Sequence, residues 1–201
     1  MPQPSLELWF EFASTYSYLS VERIAPLAAA AGIGLEWRPF LLGPIFAKQG
    51  WNDSPFNIYP EKGRYMWRDM ERLCDKYGIP FRRPTQFPRQ SLLAARVACL
   101  VQARPVIGDF VGAVYRANFS EDRDIAGPET IGAILESLGE DAGAVISAAT
   151  SAEGKNALRR QCEAAVELGI FGAPSFVAAG ELFWGNDRLE DALAHARAVG
   201  A

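Results

Sequence analysis

Strand-like sequence is confined to the two ends of this 201-residue chain, and more than a hundred residues of helical pattern lie between them. At the start, Leu6, Leu8, Phe10 and Phe12 alternate with Glu7, Trp9 and Glu11, the period-two pattern of a strand with two unlike faces. From Ser17 on, Tyr18, Leu19, Val21, Ile24, Ala25, Leu27 and Ala28 recur at helical spacing until Gly32 offers a stop. Residues 35–40 then read as a second strand, and a β-α-β opening predicts parallel pairing through a right-handed crossover. Helices are expected over 59–78, 89–103, 106–118, 129–138, 140–150 and 154–168, separated by glycine and proline punctuation such as Gly78-Ile79-Pro80 and Gly127-Pro128. Strands return only at 175–179 and 181–184, joined at Gly180 as a hairpin, before a last helix over 187–198.

The order β-α-β, helices, β-β-α predicts an α/β fold, a thioredoxin-like domain with a large all-helical insertion. Residues 1–42 and 168–201 form the discontinuous thioredoxin-like domain, and 43–167 the inserted helical one. Because the first draws on both ends of the chain, neither terminal half is expected to fold alone.

An apolar fraction of 49% supports a packed core at this length. The net charge of −4 and the lack of a long basic run argue against nucleic acid as a partner. No apolar run approaches ~18 residues, so no spanning helix is expected. The residues Met1-Pro2-Gln3-Pro4-Ser5 carry no charged leader before an apolar stretch, and the expected location is the cytoplasm. Cys74, Cys99 and Cys162 are odd in number and far apart, which fits reduced cysteines packed in helices better than a disulfide framework or a metal cluster.

Ser14-Thr15-Tyr16-Ser17 occupies the strand-to-helix junction where thioredoxin-like proteins carry a C-x-x-C pair, here with serine at both cysteine positions. A serine hydroxyl does not ionise at a helix N-terminus, and a serine nucleophile needs an adjacent base. The single histidine, His195, lies far away in the last helix. The remaining chemical role for Ser14 is to donate a hydrogen bond to an anion at the helix end, and an exogenous thiolate fits that role. Lowering a thiol from a pKa of ~8.5 to about 6.5 takes roughly 2.7 kcal/mol. One charge-assisted hydrogen bond of ~1.5–3 kcal/mol with a dipole contribution of ~0.3–1 kcal/mol is the right size. Ser14 or Ser17 as a simple helix N-cap is the plainer alternative.

Ala173-Pro174-Ser175 enters the returning strand where a thioredoxin-like domain places a cis-proline opposite its active site. A cis bond would expose the Ala173 backbone for strand-like pairing with a cysteinyl group, and a trans-proline at a strand start remains open. Asn186 and Asp187, at the turn into the last helix, either cap that helix or grip an amino-acid-like group.

Five ordered motifs together resemble the 2-hydroxychromene-2-carboxylate isomerase family, relatives of kappa-class glutathione transferases on the DsbA-type scaffold. They are Phe12-Ala13-Ser14-Thr15-Tyr16-Ser17-Tyr18-Leu19, Leu42-Gly43-Pro44-Ile45-Phe46 leading to Asn52, Pro60-Glu61-Lys62-Gly63-Arg64-Tyr65, Phe171-Gly172-Ala173-Pro174-Ser175-Phe176, and Phe183-Trp184-Gly185-Asn186-Asp187-Arg188. The resemblance implies glutathione as cofactor, with Ser14 beside its sulfur and Asn52, Ala173, Pro174, Asn186 and Asp187 holding the tripeptide. It implies cis-trans isomerisation of an aromatic-derived 2-oxo acid by reversible thiolate addition, and a homodimer. Lys48, Lys62 and Arg64 are candidates for the substrate carboxylate, or else ordinary exposed helix charges. Thr15 departs from the family, which usually has proline there. The aromatics Phe46, Trp51, Phe56, Tyr59, Tyr65, Trp67, Phe81 and Phe87 either line a substrate site or pack the core. Three rivals share the scaffold: a kappa-class-like transferase that conjugates glutathione to electrophiles, a protein disulfide exchanger, which would need a redox pair that Ser14 and Ser17 do not supply, and a non-catalytic thioredoxin-fold binding protein.

Overall fold

In the computed structural model, which describes residues 4–200, β1 (Ser5–Phe10) runs beside β2 (Gly34–Pro39) in parallel, with Leu8 opposite Trp37. β3 (Ser175–Ala178) pairs antiparallel with β1 on its other side, Leu8 opposite Phe176, and β4 (Glu181–Trp184) closes the sheet in the order β2-β1-β3-β4. The β3–β4 turn is Ala179-Gly180, both at positive φ (49° and 84°). Met1–Gln3, part of the leader reading, lie outside the described residues.

β1 is buried on both faces. Leu6, Leu8 and Phe10 enter the main core, while Trp9 packs against Phe40, Ile45, Ile170 and Val177 on the other side. Strict alternation of apolar and polar faces therefore misses Trp9, and Glu7 accepts from the Trp9 indole N–H at 2.8 Å. The main core runs without a break from β1 and α1 (Thr15–Ala31) through α4 (Pro60–Tyr77), α5 (Leu92–Val101), α6 (Ile107–Phe119) and α7 (Pro128–Ser137). α8 (Ala142–Thr150), α9 (Ala152–Glu167) and the terminal α10 (Leu189–Gly200) complete the helices foreseen from periodicity, the last preceded by a 3-10 turn at Asn186–Arg188.

Two short helices come from prolines in their first turn rather than from periodicity. α2 (Leu42–Lys48) carries Gly43-Pro44 in its first turn, where proline lacks no needed donor. α3 (Pro55–Ile58) starts with Pro55 after Ser54, whose hydroxyl accepts from Phe56 N–H at 3.3 Å. α3 meets α4 so closely that a Cβ on Gly63 would lie 2.2 Å from the Phe56 carbonyl oxygen. Among the described residues, no helix is long and apolar enough to cross a membrane.

Candidate active site

Ser14 is the N-cap of α1, in extended backbone (φ −76°, ψ 117°), and its Oγ accepts from Ser17 N–H at 3.3 Å. Its hydroxyl donates across the sheet to the Ala173 carbonyl at 3.0 Å, a contact spanning 159 residues of sequence. The capping reading and the register with Ala173 thus both hold for the same side chain. The Ala173-Pro174 bond is cis. Ladder pairing stops at Trp9–Ser175, so the Ala173 backbone stands beyond the sheet, with its carbonyl turned to Ser14.

Both residues border a cavity of about 950 Å³. Phe46, Trp51, Phe56 and Phe87 give it an aromatic wall, and the exposed rings of Phe171 and Trp184, 4.8 Å apart, stand at its edge. Trp67 stacks on Phe81 and meets Phe87 edge-on as core instead, and Tyr65 is exposed, so the aromatic cluster divides between the two roles. Thr15 also borders the cavity; its hydroxyl is buried and has no partner.

The other candidate residues separate by position. Asn52 and Lys62 line the cavity, and the Lys62 ammonium lies 4.6 Å from the Tyr59 ring centroid. Lys48 instead borders a neighbouring hollow of about 500 Å³ with Arg96, Lys155 and Arg159, and Arg64 is exposed and paired with Glu61 at 3.1 Å. Neither meets Ser14 in one cavity. Pro174 is buried behind Ala173, and its carbonyl accepts from Gly185 N–H at 3.0 Å. Asn186 is buried, with its side-chain oxygen accepting from Ser20 Oγ at 3.0 Å and Arg23 at 3.2 Å, which ties the start of α10 to α1. Asp187 is exposed and bonded to Arg188 at 3.2 Å, yet near enough to the cavity residue Tyr16 to disfavour phenolate there. The Tyr16 phenol is held far up chiefly by burial and by its 2.9 Å bond to Asp69. His195 faces Glu181 and Phe183, away from the cavity.

Two cavity residues escaped the sequence reading. Arg89 is buried but fully engaged, donating to the Asn118 side chain at 3.0 Å and to Asp122. Glu11, read as the outward member of a strand, is 6% exposed. The strand ends at Phe10, and the chain folds into a turn in which Ala13 N–H donates to Glu11 Oε2 at 3.0 Å, Ser14 N–H to the Glu11 carbonyl at 2.9 Å, and Ser91 Oγ to Glu11 Oε1. Burial is the main cause that pushes its carboxyl up to about 7, against the smaller opposing pull of these hydrogen bonds. The only available signal was its place three residues before Ser14. The cysteines offer no rival nucleophile: all three are free, and burial pushes the Cys74 and Cys99 thiols up to about 12.

A serine at a helix N-terminus facing a cis-proline, on a four-stranded sheet with helices inserted between β2 and β3, is the geometry of a thioredoxin-type site, and the sequence profile of the DSBA-like thioredoxin domain matches residues 5–196. The chain belongs to the DSBA-like thioredoxin family. This DSBA-like protein is 29% identical over 188 residues to a 2-hydroxychromene-2-carboxylate isomerase of Sphingobium xenophagum, covering 92% of this chain and 94% of that protein. It is also 29% identical over 205 residues to glutathione S-transferase kappa 1 of Homo sapiens, covering 95% and 89%. The solved structure of a 2-hydroxychromene-2-carboxylate isomerase superimposes with a TM-score of 0.83 at 27% identity, over 94% of both chains. The resemblance read from five motifs therefore extends to the whole fold.

Proposed function

We propose that this DSBA-like protein is a glutathione-dependent isomerase acting on 2-hydroxychromene-2-carboxylate-like aromatic 2-oxo acids. The observation that carries the reading is the Ser14 hydroxyl, fixed at the N-terminus of α1 and 3.0 Å from the Ala173 carbonyl, on the wall of an aromatic cavity. The donor set suits a thiol tripeptide. Ala173 offers a backbone carbonyl beyond the last ladder pair, α1 offers a positive dipole end, Asn52 lines the same cavity, and Asp187, exposed outside that lining but within electrostatic reach of Tyr16, is the anchor for a polar end in this reading. Asn186 contributes through its support of α1, because its side-chain oxygen is committed to Ser20 and Arg23.

Bound glutathione supplies a thiolate whose reversible addition to a conjugated 2-oxo acid frees rotation about the former double bond. The chain's own part is to bind, orient and hold charge. The Ala173 carbonyl would accept the cysteinyl N–H, and the Ser14 hydroxyl would donate to the sulfur. Phe46, Trp51, Phe56 and Phe87 provide the apolar wall for an aromatic substrate, and Lys62 is the cation for its carboxylate, since Arg89 in the same wall is engaged by Asn118 and Asp122. Lys48 and Arg64 lack that position and are surface charges in this reading.

The second reading, a kappa-class-like transferase, draws support from the equal identity to the human kappa enzyme. Product analysis separates the two: turnover at trace glutathione marks an isomerase, and stoichiometric consumption of glutathione marks a transferase. For either, Ser14→Ala lowers turnover roughly ten- to a thousand-fold, the loss expected for one anion-stabilising donor. Its stability cost is about 1 kcal/mol for the lost cap. Unchanged turnover would remove Ser14 from the chemistry.

A further inference from the structure

Glu11 holds the turn into α1 with its carboxylate, yet it is buried there without a cation. A carboxylate withdrawn from water ordinarily meets a cation, but the Glu11 oxygens meet the Ser91 hydroxyl and the Ala13 N–H. The buried guanidinium in the same wall, Arg89, is already used by Asn118 and Asp122. The Ala13 and Ser14 N–H groups both close onto Glu11, so the acid and the serine are two members of one turn bordering one cavity. Burial sets this carboxyl to exchange its proton near neutrality.

We propose that Glu11 is the proton acceptor for a thiol bound against Ser14. When glutathione docks, the S–H bond breaks, its electron pair stays on sulfur, and the proton forms an O–H bond on the Glu11 carboxylate. The proton remains there during turnover and returns to sulfur when glutathione leaves. This role rests on the glutathione reading above. Other ionisable and charged groups stand around Glu11 without bonding to its carboxylate. Tyr115 of α6 donates to the Glu11 backbone carbonyl at 2.7 Å, Cys162 of α9 lies within electrostatic reach, and Arg89, Asp53 and Lys62 share the cavity wall.

The test is calorimetric titration of glutathione into the full-length protein, in buffers of different ionisation enthalpy, with thiolate formation followed in parallel by ultraviolet absorbance. At about pH 7.5, where free glutathione is mostly thiol, the wild-type protein should form thiolate while releasing almost no proton to buffer. Release should rise towards one proton per thiolate as the pH falls through about 7 and Glu11 fills beforehand. Glu11→Gln keeps both hydrogen-bonding positions and should release about one proton for each thiolate it forms. If that variant does not fold, the pH dependence of the wild-type protein gives the same answer. A wild-type protein that binds glutathione but releases one proton per thiolate, or forms no thiolate, overturns the Glu11 role alone, as does a variant with wild-type proton release. No saturable heat in the wild-type protein removes the glutathione reading and the Glu11 role with it.

Discussion

Ionising Glu11 should cost this protein stability, and the cost can be worked from its burial. An unfolded glutamate titrates near 4.5, whereas Glu11 in the fold titrates near 7. Below pH 4.5 the carboxyl is neutral in both states and opposes nothing. Between the two values the unfolded chain has lost its proton while the folded one keeps it, so stability falls as pH rises. Above 7 both states are ionised, and the folded state carries the full penalty. At ~1.36 kcal/mol per pH unit, the gap amounts to about 3 kcal/mol.

Glu11→Gln is neutral at every pH, and its amide can accept from Ala13 N–H and donate to Ser91 Oγ. Whatever the variant's offset at about pH 5, where part of the penalty is already present, its stability relative to wild type should improve by about 2.5 kcal/mol on going to about pH 8. For a chain of this size that is roughly 5–10 °C in Tm. Thermal unfolding of both proteins across this range measures it, and titrations common to both proteins cancel in the difference. Parallel curves, with one wild-type-to-variant gap at every pH, would refute the assignment of Glu11 as a buried acid.

Three further outcomes are expected. Thr15→Pro should stabilise by about 0.5–1 kcal/mol in chemical denaturation, because Ser14 already has the extended backbone a following proline requires and the partnerless Thr15 hydroxyl is removed. Gly63→Ala should destabilise by about 1–3 kcal/mol, since its Cβ would fall 2.2 Å from a backbone oxygen of α3 that has to move; urea unfolding reads this directly. Asp187→Ala should raise the glutathione concentration needed for half-maximal rate more than it lowers the maximal rate, as expected for an anchor remote from sulfur. A loss confined to maximal rate would contradict that placement.

Elements with long-range periodicity were legible in the sequence. The 3.6-residue spacing in α4 and α6 and the two strand pairs at the termini follow from which side chains must leave water, and that pattern survives without knowledge of neighbours. α2 and α3 were not legible because a proline in the first turn and a serine cap shape them, with too few residues for a period to register. Ser14 and Ala173 were visible because their chemistry is local: a cap position and a proline. Lys48, Lys62 and Arg64 were indistinguishable in sequence. Lys62 and Arg64 are two residues apart on α4, roughly 200° around its axis, so only Lys62 borders the cavity, while Lys48 on α2 borders the neighbouring hollow. Asn186 looked like a ligand-facing cap, but Ser20 and Arg23 of α1 claim its oxygen from 166 and 163 residues away.

Glu11 was hidden for the opposite reason, since an acid at the end of an alternating strand is read as solvated, and only the turn at Phe12-Ala13 draws it inward. That burial is what makes its pairing with Ser14 workable. A carboxyl at its ordinary value of ~4.3 lies about four pH units below a free thiol at ~8.5, and moving the proton from sulfur to carboxylate would then be uphill by about 5–6 kcal/mol. One hydrogen bond to the thiolate, worth ~1.5–3 kcal/mol, does not close that gap. With Glu11 near 7 the same transfer is uphill by only about 2 kcal/mol, and the Ser14 hydroxyl with the α1 dipole is sufficient. The transfer also replaces a carboxylate that the fold solvates poorly by a sulfur anion at the helix end, where donors point at it. The stability lost by ionising Glu11 and the activation of the thiol therefore have one physical cause, and a substitution that re-exposes Glu11 to water should recover the first while losing the second.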